Sequence, residues 1–261
     1  MPVVAAFNVT PVKSTALLHP ASVELTPSAV VGDRGFMFVH PDGTRFSGSE
    51  KAPLLTIGAR HDPATDVLAL DVPGVGTIRG DAATVGARFP LALYDRTVHA
   101  RLIGGPFAGA ISGWAGFELA LARVEAPEHA GGVHPVSLIS WASVEDLGTR
   151  GGADTMPDPR RFRMTIELDD ADPYEEDTWV GRRIEIGRAI VRVPEPIPRC
   201  VLTTLHPDTG VKDFPTLEVL ATYRRRDKDL VIGVYGDVER PGAIRVGDRV
   251  RVLPDRDDPL P

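Results

Sequence analysis

Short apolar runs separated by turns containing glycine or proline dominate the first hundred residues. The lengths of these runs predict strands over residues 3–9, 35–39, 54–59, 67–72, 76–79 and 89–94. One intervening turn, Pro41-Asp42-Gly43, combines three residue types that each favour a reversal of the chain. Short strands at such regular spacing are typical of an all-β sandwich or barrel.

The hydrophobic pattern changes after residue 100. Apolar side chains recur at helical spacing in an alanine-rich stretch, which predicts an amphipathic helix over 107–124. Two more helices are predicted over 143–147, with Ser143 as N-cap, and over 217–226, whose basic end suits its dipole. Loops are predicted over 126–134 and 148–160, and strands over 135–140, 162–168, 183–193, 200–205, 231–235, 243–246 and 249–253. The pattern predicts a β-rich α+β protein with a few peripheral helices.

Composition narrows the class of protein. With 261 residues, 43% of them hydrophobic and 25% charged, the chain is neither disordered nor collagen-like. The net charge of −7 gives no general affinity for nucleic acid or anionic membranes. No apolar run reaches the roughly 18 residues of a membrane helix, and the N-terminus lacks the features of a secretory signal. We therefore expect a cytoplasmic protein that neither binds nucleic acid nor spans a membrane.

The single cysteine, Cys200, limits the metal chemistry of the chain. It excludes an internal disulfide, a four-cysteine iron–sulfur cluster and a multi-cysteine zinc site. Cys200 follows Arg199, whose guanidinium would favour the thiolate that attacks electrophiles or binds a soft metal. A lone cysteine opening an apolar run is also compatible with a small buried hydrophobe. The residues alone leave both alternatives open.

Other candidate chemistry is sparse. The sequence has no Walker loop, no GxGxxG after a strand, no GxSxG and no HExxH motif. The seven histidines are scattered, and most are expected to be exposed in loops. The acidic runs at 169–172 and 175–177 lack EF-hand spacing, so a solvated surface is favoured over a cation site.

One segment resembles a known family. Residues 199–210, RCVLTTLHPDTG, resemble the core motif of the molybdenum-cofactor sulfurase C-terminal (MOSC) domain. Further segments resemble the family in chain order: TPVKS at 10–14, DRGFMFV at 33–39, PVSLISWASVEDL at 135–147, RFRMTI at 161–166, YEEDTW at 174–179, GVYG at 233–236 and PGAIRVGD at 241–248. The resemblance implies an N-terminal MOSC β-barrel segment over 1–110, a MOSC domain over 111–254 and a tail over 255–261.

This layout is similar to the amidoxime-reducing branch of the family, and the resemblance carries specific expectations. Cys200 is expected to ligate molybdenum and to be the catalytic residue. Phosphate and pterin of the molybdenum cofactor are expected to be bound by Lys13, Ser14, Arg34, Arg163 and Thr165. The expected substrate is a small N-hydroxylated compound. Electrons are expected from a separate electron-transfer protein, because the sequence shows no flavin, haem or iron–sulfur motif.

The same resemblance leaves alternatives. MOSC domains are also thought to carry sulfur, which would place a persulfide on Cys200, and a non-catalytic module for another anionic ligand would keep the same pocket. Pyridoxal phosphate binding is a further property associated with such domains. The chain departs from the family at Met164-Thr165, where relatives have Pro-Asn, and at His206, where relatives commonly have Asp. A threonine hydroxyl replaces only part of the hydrogen-bonding capacity of an asparagine amide.

Overall fold

Strands make up most of the regular structure in the computed structural model, which describes residues 1–94 and 96–254. The strands of this described part are β1 (Val3–Phe7), β2 (Ser22–Leu25), β3 (Phe36–Val39), β4 (Gly58–Asp62), β5 (Val67–Val72), β6 (Gly76–Asp81), β7 (Thr84–Leu93), β8 (Arg96–Ile103), β9 (Ala120–Val124), β10 (Val136–Ser140), β11 (Ile166–Asp169), β12 (Arg183–Ile186), β13 (Ala189–Arg192), β14 (Pro196–Pro198), β15 (Arg225–Arg226), β16 (Asp229–Arg240), β17 (Gly242–Arg245) and β18 (Val250–Val252). The α-helices are α1 (Phe107–Ala115), α2 (Trp141–Arg150) and α3 (Thr216–Tyr223), and 3-10 helices span Ala52–Thr56, Pro159–Phe162, Glu175–Trp179 and Val201–Thr204. The predicted β-rich α+β class is confirmed.

The largest sheet forms a nearly closed barrel. Its strands follow the order β1-β11-β10-β16-β13-β12-β18, and only the β10–β11 pair within this path is parallel. The two ends of the sheet meet, because the Val4 amide donates to Asp248 O at 2.9 Å and the Val250 amide donates to Pro2 O at 2.8 Å. Phe7, Leu138 and Trp179 are among the side chains that fill the interior. An N-terminal strand thus joins a barrel built mainly from the second half of the chain.

Two smaller sheets form the N-terminal part. One has the order β3-β9-β8-β7 and the other β4-β5-β6, and α1 packs against them through Phe107 and Ile111. The strand β2 pairs instead with β17 near the chain's end. The division at residue 110 stays a prediction, although β1 and β2 pair with strands from beyond it. The predicted tail, 255–261, lies outside the described residues.

The predicted helix over 107–124 is wrong in its second half. It ends at Ala115 because Gly116 adopts a left-handed conformation, with φ +84°, and caps the helix. Residues 120–124 form β9, which pairs with β3 and β8. Cross-strand pairing therefore overrides the helical spacing of the apolar residues.

Two predicted strands are 3-10 helices instead. Over 54–59, a 3-10 helix with Pro53 in its first turn precedes β4. Over 200–205, the hydroxyls of Thr203 and Thr204 donate to the carbonyl oxygens of Cys200 and Val201 at 2.9 and 2.7 Å. These local hydrogen bonds compete with an extended ladder and stabilise the turn.

Other boundaries shift for local reasons. The strand predicted over 162–168 begins only at Ile166, and 183–193 is a hairpin that turns at Gly187, where φ is +53°. The N-cap of α2 is Ser140 rather than Ser143, since the Ser143 amide donates to Ser140 Oγ at 3.1 Å. That helix runs to Arg150, into the loop predicted over 148–160, and the helix predicted over 217–226 is α3. No strand is predicted from the sequence at the positions of β2, β8, β14 and β15.

Candidate functional site

A cavity of about 300 Å³ lies between the N-terminal sheets and the barrel. Every residue that the sequence singled out for the site lines it: Lys13, Ser14, Arg34, Arg163, Thr165 and Cys200. These residues come from distant parts of the chain, since Lys13 follows β1, Arg34 precedes β3, and Arg163 and Thr165 lie just before β11. The fold therefore brings together six residues that have no local reason to meet. The roles expected for them stay predictions.

The backbone around this cavity is unusually strained. Within the described residues, eight non-glycine residues have positive φ, and four of them line the cavity: Ser14 (67°), Arg34 (50°), Tyr94 (58°) and Arg163 (54°). Such conformations cost of the order of 1–3 kcal/mol each and persist only where the surroundings hold them. Strain of this kind clusters at functional sites, which marks the cavity as a candidate independently of the sequence motifs.

The cavity is rich in cations. Lys13 is buried, while Arg34, Arg163 and Arg199 are partly buried. Asp33 contributes the one carboxylate among the described lining residues, and it pairs with the Arg34 guanidinium. A site with more positive than negative charge in a chain of net charge −7 favours an anionic ligand.

Burial shapes the ionisation of these groups. Desolvation by burial lowers the pKa of Lys13, and it lowers that of Arg163, with a further contribution from Arg34, to about 9. Burial also lowers the pKa of Arg199. Because burial destabilises the charged forms of Lys13, Arg163 and Arg199, a bound anion would relieve part of that electrostatic cost.

Lys13 is held at the cavity wall by two polar contacts. Its Nζ donates to Ala130 O at 2.6 Å and lies 3.2 Å from Tyr94 Oη. The charge of Lys13 lowers the pKa of the Tyr94 phenol. Arg45 lies over the ring of Tyr94, with its guanidinium carbon 5.2 Å from the ring centroid.

Cys200 is exposed at the cavity and sits at the start of the Val201–Thr204 3-10 helix. A buried hydrophobic role is therefore excluded, which resolves the ambiguity left by the sequence. Next to it, Arg199 donates from Nη2 to Phe162 O at 2.6 Å, while its buried Nε has no partner among the described residues. The thiol of Cys200 and the unpartnered Nε donor of Arg199 therefore belong to consecutive residues.

Arg161 anchors the 3-10 helix that follows Cys200. Arg161, whose side chain is 2% exposed, forms a two-pronged ion pair with Asp213 in which both N–O distances are 3.0 Å. Its Nη1 also donates to Thr203 O at 3.3 Å. Arg161 therefore fixes the turn immediately after Cys200 without needing contact with a ligand.

Thr165 is buried and hydrogen-bonded to the neighbouring strand. Its amide donates to Ser137 Oγ at 2.9 Å, and its Oγ1 lies 3.2 Å from the same atom. Met164, the other departure from the family pattern, places its sulfur 3.4 Å from Arg199 Nη1. The two departures therefore make ordinary structural contacts at the cavity wall.

Sequence reasoning missed several lining residues. His129, expected to be exposed in a loop, is only 6% exposed and lines the cavity. His134 is partly buried, and its Nδ1 lies 2.6 Å from Asp237 Oδ1. Tyr94, Tyr235 and Ser137 also line it. Ser137 and Tyr235 lie on β10 and β16, in segments that resemble the family, whereas nothing in the local sequence pattern marks His129 or Tyr94.

The acidic segment at 174–179 is structural. Glu176 is fully buried, and its Oε1 accepts from the Ser140 amide at 3.2 Å and from Ser143 Oγ at 2.8 Å. Burial raises the pKa of this carboxyl. Within residues 1–94 and 96–254, no three His, Cys, Asp or Glu side chains are grouped closely enough to hold a metal ion. No helix in the same ranges has the length and apolar character needed to cross a membrane.

Comparison with known proteins gives one family model and several relatives. The model of the MOSC domain matches residues 125–251. The chain is 38% identical over 125 residues to mitochondrial amidoxime reducing component 2 of Rattus norvegicus and of Homo sapiens, and 36% identical over 128 residues to mitochondrial amidoxime-reducing component 1 of Mus musculus. These matches cover 44%, 44% and 46% of this chain, and 36% of each relative, so they span about a third of the relatives' length.

The YuaD protein of Bacillus subtilis matches over 96% of this chain and 94% of its own, with a TM-score of 0.44 and 12% sequence identity. YiiM of Geobacillus stearothermophilus matches over 66% of this chain and 74% of its own, with a TM-score of 0.36 and 15% identity.

Proposed function

The chain carries a MOSC domain over residues 125–251, and from that premise we propose that the protein is a molybdenum-cofactor oxidoreductase that reduces N-hydroxylated compounds. The observation that carries the proposal is that six cationic side chains and an exposed thiol line one cavity: Lys13, Arg34, Arg45, Arg161, Arg163, Arg199 and Cys200. The names of the relatives supply the reaction class, because they are amidoxime-reducing components.

The residues present fit such a cofactor. A molybdopterin needs a soft protein ligand for its metal and cationic donors for its phosphate. The exposed thiol of Cys200 is a soft ligand that lines the cavity. The buried, unpartnered Nε of Arg199 is a donor that a ligand oxygen would satisfy.

Each residue has a distinct task in this proposal. Lys13 acts as a point charge for the phosphate, whereas the forked guanidinium donors of Arg34 and Arg163 suit phosphate and planar pterin. Ser14 and Thr165 add hydroxyl groups. Cys200 would hold the molybdenum as a thiolate. When bound, the cofactor supplies the two-electron chemistry.

The reaction balances with an external reductant. An N-hydroxylated substrate accepts two electrons and two protons, its N–O bond breaks, and the amine or amidine and one water molecule leave. The electrons come from a separate electron-transfer protein, since the chain shows no flavin, haem or iron–sulfur motif. The exposure of Cys200 leaves this end of the cavity open to a small substrate.

Three assays on protein from a molybdenum-replete host test the proposal: molybdenum content, pterin fluorescence, and benzamidoxime reduction with a reduced viologen as electron source. Stoichiometric molybdenum and pterin with amidine formation are expected. Cyanide-releasable sulfur on Cys200 without bound metal would show that the protein is a sulfur carrier instead. Protein with neither would be a non-catalytic module. Pyridoxal phosphate linked to Lys13, trapped by borohydride reduction and detected by mass spectrometry, would identify a cofactor other than the molybdenum cofactor.

A further inference from the structure

A short loop, residues 129–132, is tied to the cations of the cavity. Arg96 donates from Nη2 to the carbonyl oxygens of His129 and Gly132 at 2.8 and 2.9 Å. Between them, the carbonyl oxygen of Ala130 accepts from Lys13 Nζ at 2.6 Å, and its amide donates to Arg34 O at 2.7 Å. We call residues 129–132 the histidine loop. Its position is fixed by the same lysine and arginine that are expected to bind phosphate.

The His129 ring is held in one tautomer. The Gly131 amide donates to its Nδ1 at 2.9 Å, so Nδ1 is unprotonated and the ring proton is on Nε2. No residue within the described ranges is hydrogen-bonded to Nε2, while the ring lines the cavity. A buried side chain therefore has a free donor at the cavity wall.

The glycine at 131 is required by this arrangement. A Cβ atom there would lie 2.4 Å from His129 Nδ1 and 2.6 Å from its Cε1, closer than real contacts allow. Any other residue would push the ring away from its present position. The loop thus contains both the hydrogen bond that sets the tautomer and the space that the ring needs.

We propose that His129 is a neutral hydrogen-bond donor of the anion subsite formed with Lys13 and Arg34, and that its Nε2–H binds a phosphate oxygen. Identifying that phosphate with the cofactor's rests on the proposed function; the donor role itself needs only a phosphate group. Burial, followed by the charges of Arg96, Arg34 and Lys13, lowers the pKa of His129 to about 4. The ring is therefore neutral at neutral pH. Because the Gly131 amide donates to Nδ1, the single ring proton is on Nε2.

A neutral donor suits this position for an electrostatic reason. A third positive charge beside Lys13 and Arg34 would add repulsion between like charges. A neutral N–H adds a hydrogen bond to an anionic oxygen without that repulsion. Hydrogen bonds to charged groups are among the stronger ones in proteins, so the contact contributes measurably to affinity.

Binding of inorganic phosphate to the full chain purified without cofactor tests the proposal. The affinity is measured by calorimetry, and the ring nitrogens of His129 are followed by ¹⁵N NMR. We expect His129→Leu to weaken phosphate binding about tenfold. His129→Gln, which keeps a donor near the Nε2 position, is expected to stay close to the wild-type affinity. His61→Leu, at a histidine that lies outside the cavity and contacts Asp66, is the control and is expected to leave the phosphate affinity unchanged.

The NMR signal separates ligand binding from packing. In the wild type, phosphate is expected to shift the resonance of the protonated Nε2, which a purely structural histidine would not show. If His129→Leu fails to fold, Gly131→Ala displaces the ring while keeping the imidazole, and it is expected to weaken phosphate binding similarly. Wild-type affinity in the folded variants together with an unmoved Nε2 resonance overturns the proposal.

The phosphate-binding test of His129 and the molybdenum test of the proposed function can fail independently. A chain that never acquires molybdenum, yet binds phosphate through His129, refutes the oxidoreductase and supports the donor role. A molybdenum-loaded enzyme whose cofactor-free chain binds phosphate equally well with and without the His129 side chain keeps the proposed function and refutes the donor role.

Discussion

Arg34 donates a hydrogen bond from its guanidinium Nη2 to the carbonyl oxygen of Arg163 across 3.0 Å, although 129 positions separate the two residues in the chain. Both residues have left-handed backbones, with φ of 50° and 54°. The Arg163 guanidinium in turn donates to Thr15 O at 2.6 Å. The two arginines therefore connect the N-terminal segment to the approach of β11 at the wall of the cavity, and both hold their side chains there at a conformational cost.

Replacing Arg163 separates this conformational cost from ligand binding. Arg163→Gly and Arg163→Ala both remove the guanidinium, but only glycine adopts φ +54° without strain. We expect the glycine variant to be more stable than the alanine variant by about 1 kcal/mol. Urea denaturation of the two cofactor-free variants measures the difference. Equal stabilities would mean that residue 163 does not have a left-handed backbone in solution.

Both Arg163 variants and Arg34→Ala are expected to lose cofactor to similar extents. Removing a charge-assisted contact from a partly buried site costs about 1.5–3 kcal/mol, roughly a ten- to hundredfold loss of affinity. Pterin and molybdenum content after purification measures the loss, with circular dichroism as the check on folding. Arg251→Ala, which removes an exposed partner of Glu185, is the control. Full pterin content in the Arg34 and Arg163 variants would make these arginines ordinary structural residues.

Cys200→Ser tests the metal ligand. Serine fits the start of the 3-10 helix, and the residue is exposed, so we expect little change in the unfolding transition. A hydroxyl is a hard and weakly acidic ligand, so amidoxime reduction is expected to disappear. The assay is amidine formation from benzamidoxime, normalised to molybdenum content. Full activity in this variant would remove Cys200 from the reaction.

Motifs in the sequence singled out side chains that the structure brings to one cavity, although their roles stay predictions. Lys13, Arg34 and Cys200 lie in motifs where residue identity matters, and the structure places them at one cavity. The strand at β5 was also predicted with its observed ends, because its alternating apolar residues face a packed core. Patterns that depend on one dominant local cause are therefore predictable.

Other features depend on contacts that no local pattern records. Residues 120–124 belong to a strand only because β3 and β8 flank them, and the turn after Cys200 forms because Thr203 and Thr204 bond to nearby carbonyl oxygens. His129 is buried because Lys13, Arg34 and Arg96 hold its loop against the cavity. Long-range pairing and side-chain competition, rather than propensity, determine these positions.

The ion pair between Arg161 and Asp213 gives a prediction about stability. Arg161→Ala leaves Asp213 without its partner, and Thr203 O keeps only the hydrogen bond that it accepts from Thr216 Oγ1 at 2.6 Å. Breaking a well-buried pair costs about 3–5 kcal/mol, and the Asp213 side chain is 33% exposed, so we expect about 2 kcal/mol here. The control is Arg60→Ala, which breaks an exposed pair with Asp71 and is expected to cost less than about 1 kcal/mol. Urea denaturation compares the two, and equal losses would contradict an anchoring role for Arg161.

The depressed pKa of His129 makes stability depend on pH in a defined direction. The unfolded chain takes up a proton at this residue near the ordinary value of 6.5, whereas the folded chain takes it up only near 4. Because the unfolded state binds more protons between these values, the free energy of unfolding falls as the pH is lowered from 6.5 to 4. At about 1.4 kcal/mol per unit of pKa, the loss attributable to His129 is at most about 3 kcal/mol.

His129→Gln has no ionisable group at this position and should lack that part of the decline. Urea denaturation of the cofactor-free wild type and His129→Gln across this pH range isolates the contribution, since all other titrating groups are shared. Parallel stability profiles would mean that His129 is solvated in the folded chain, against its burial beside Lys13, Arg34 and Arg96.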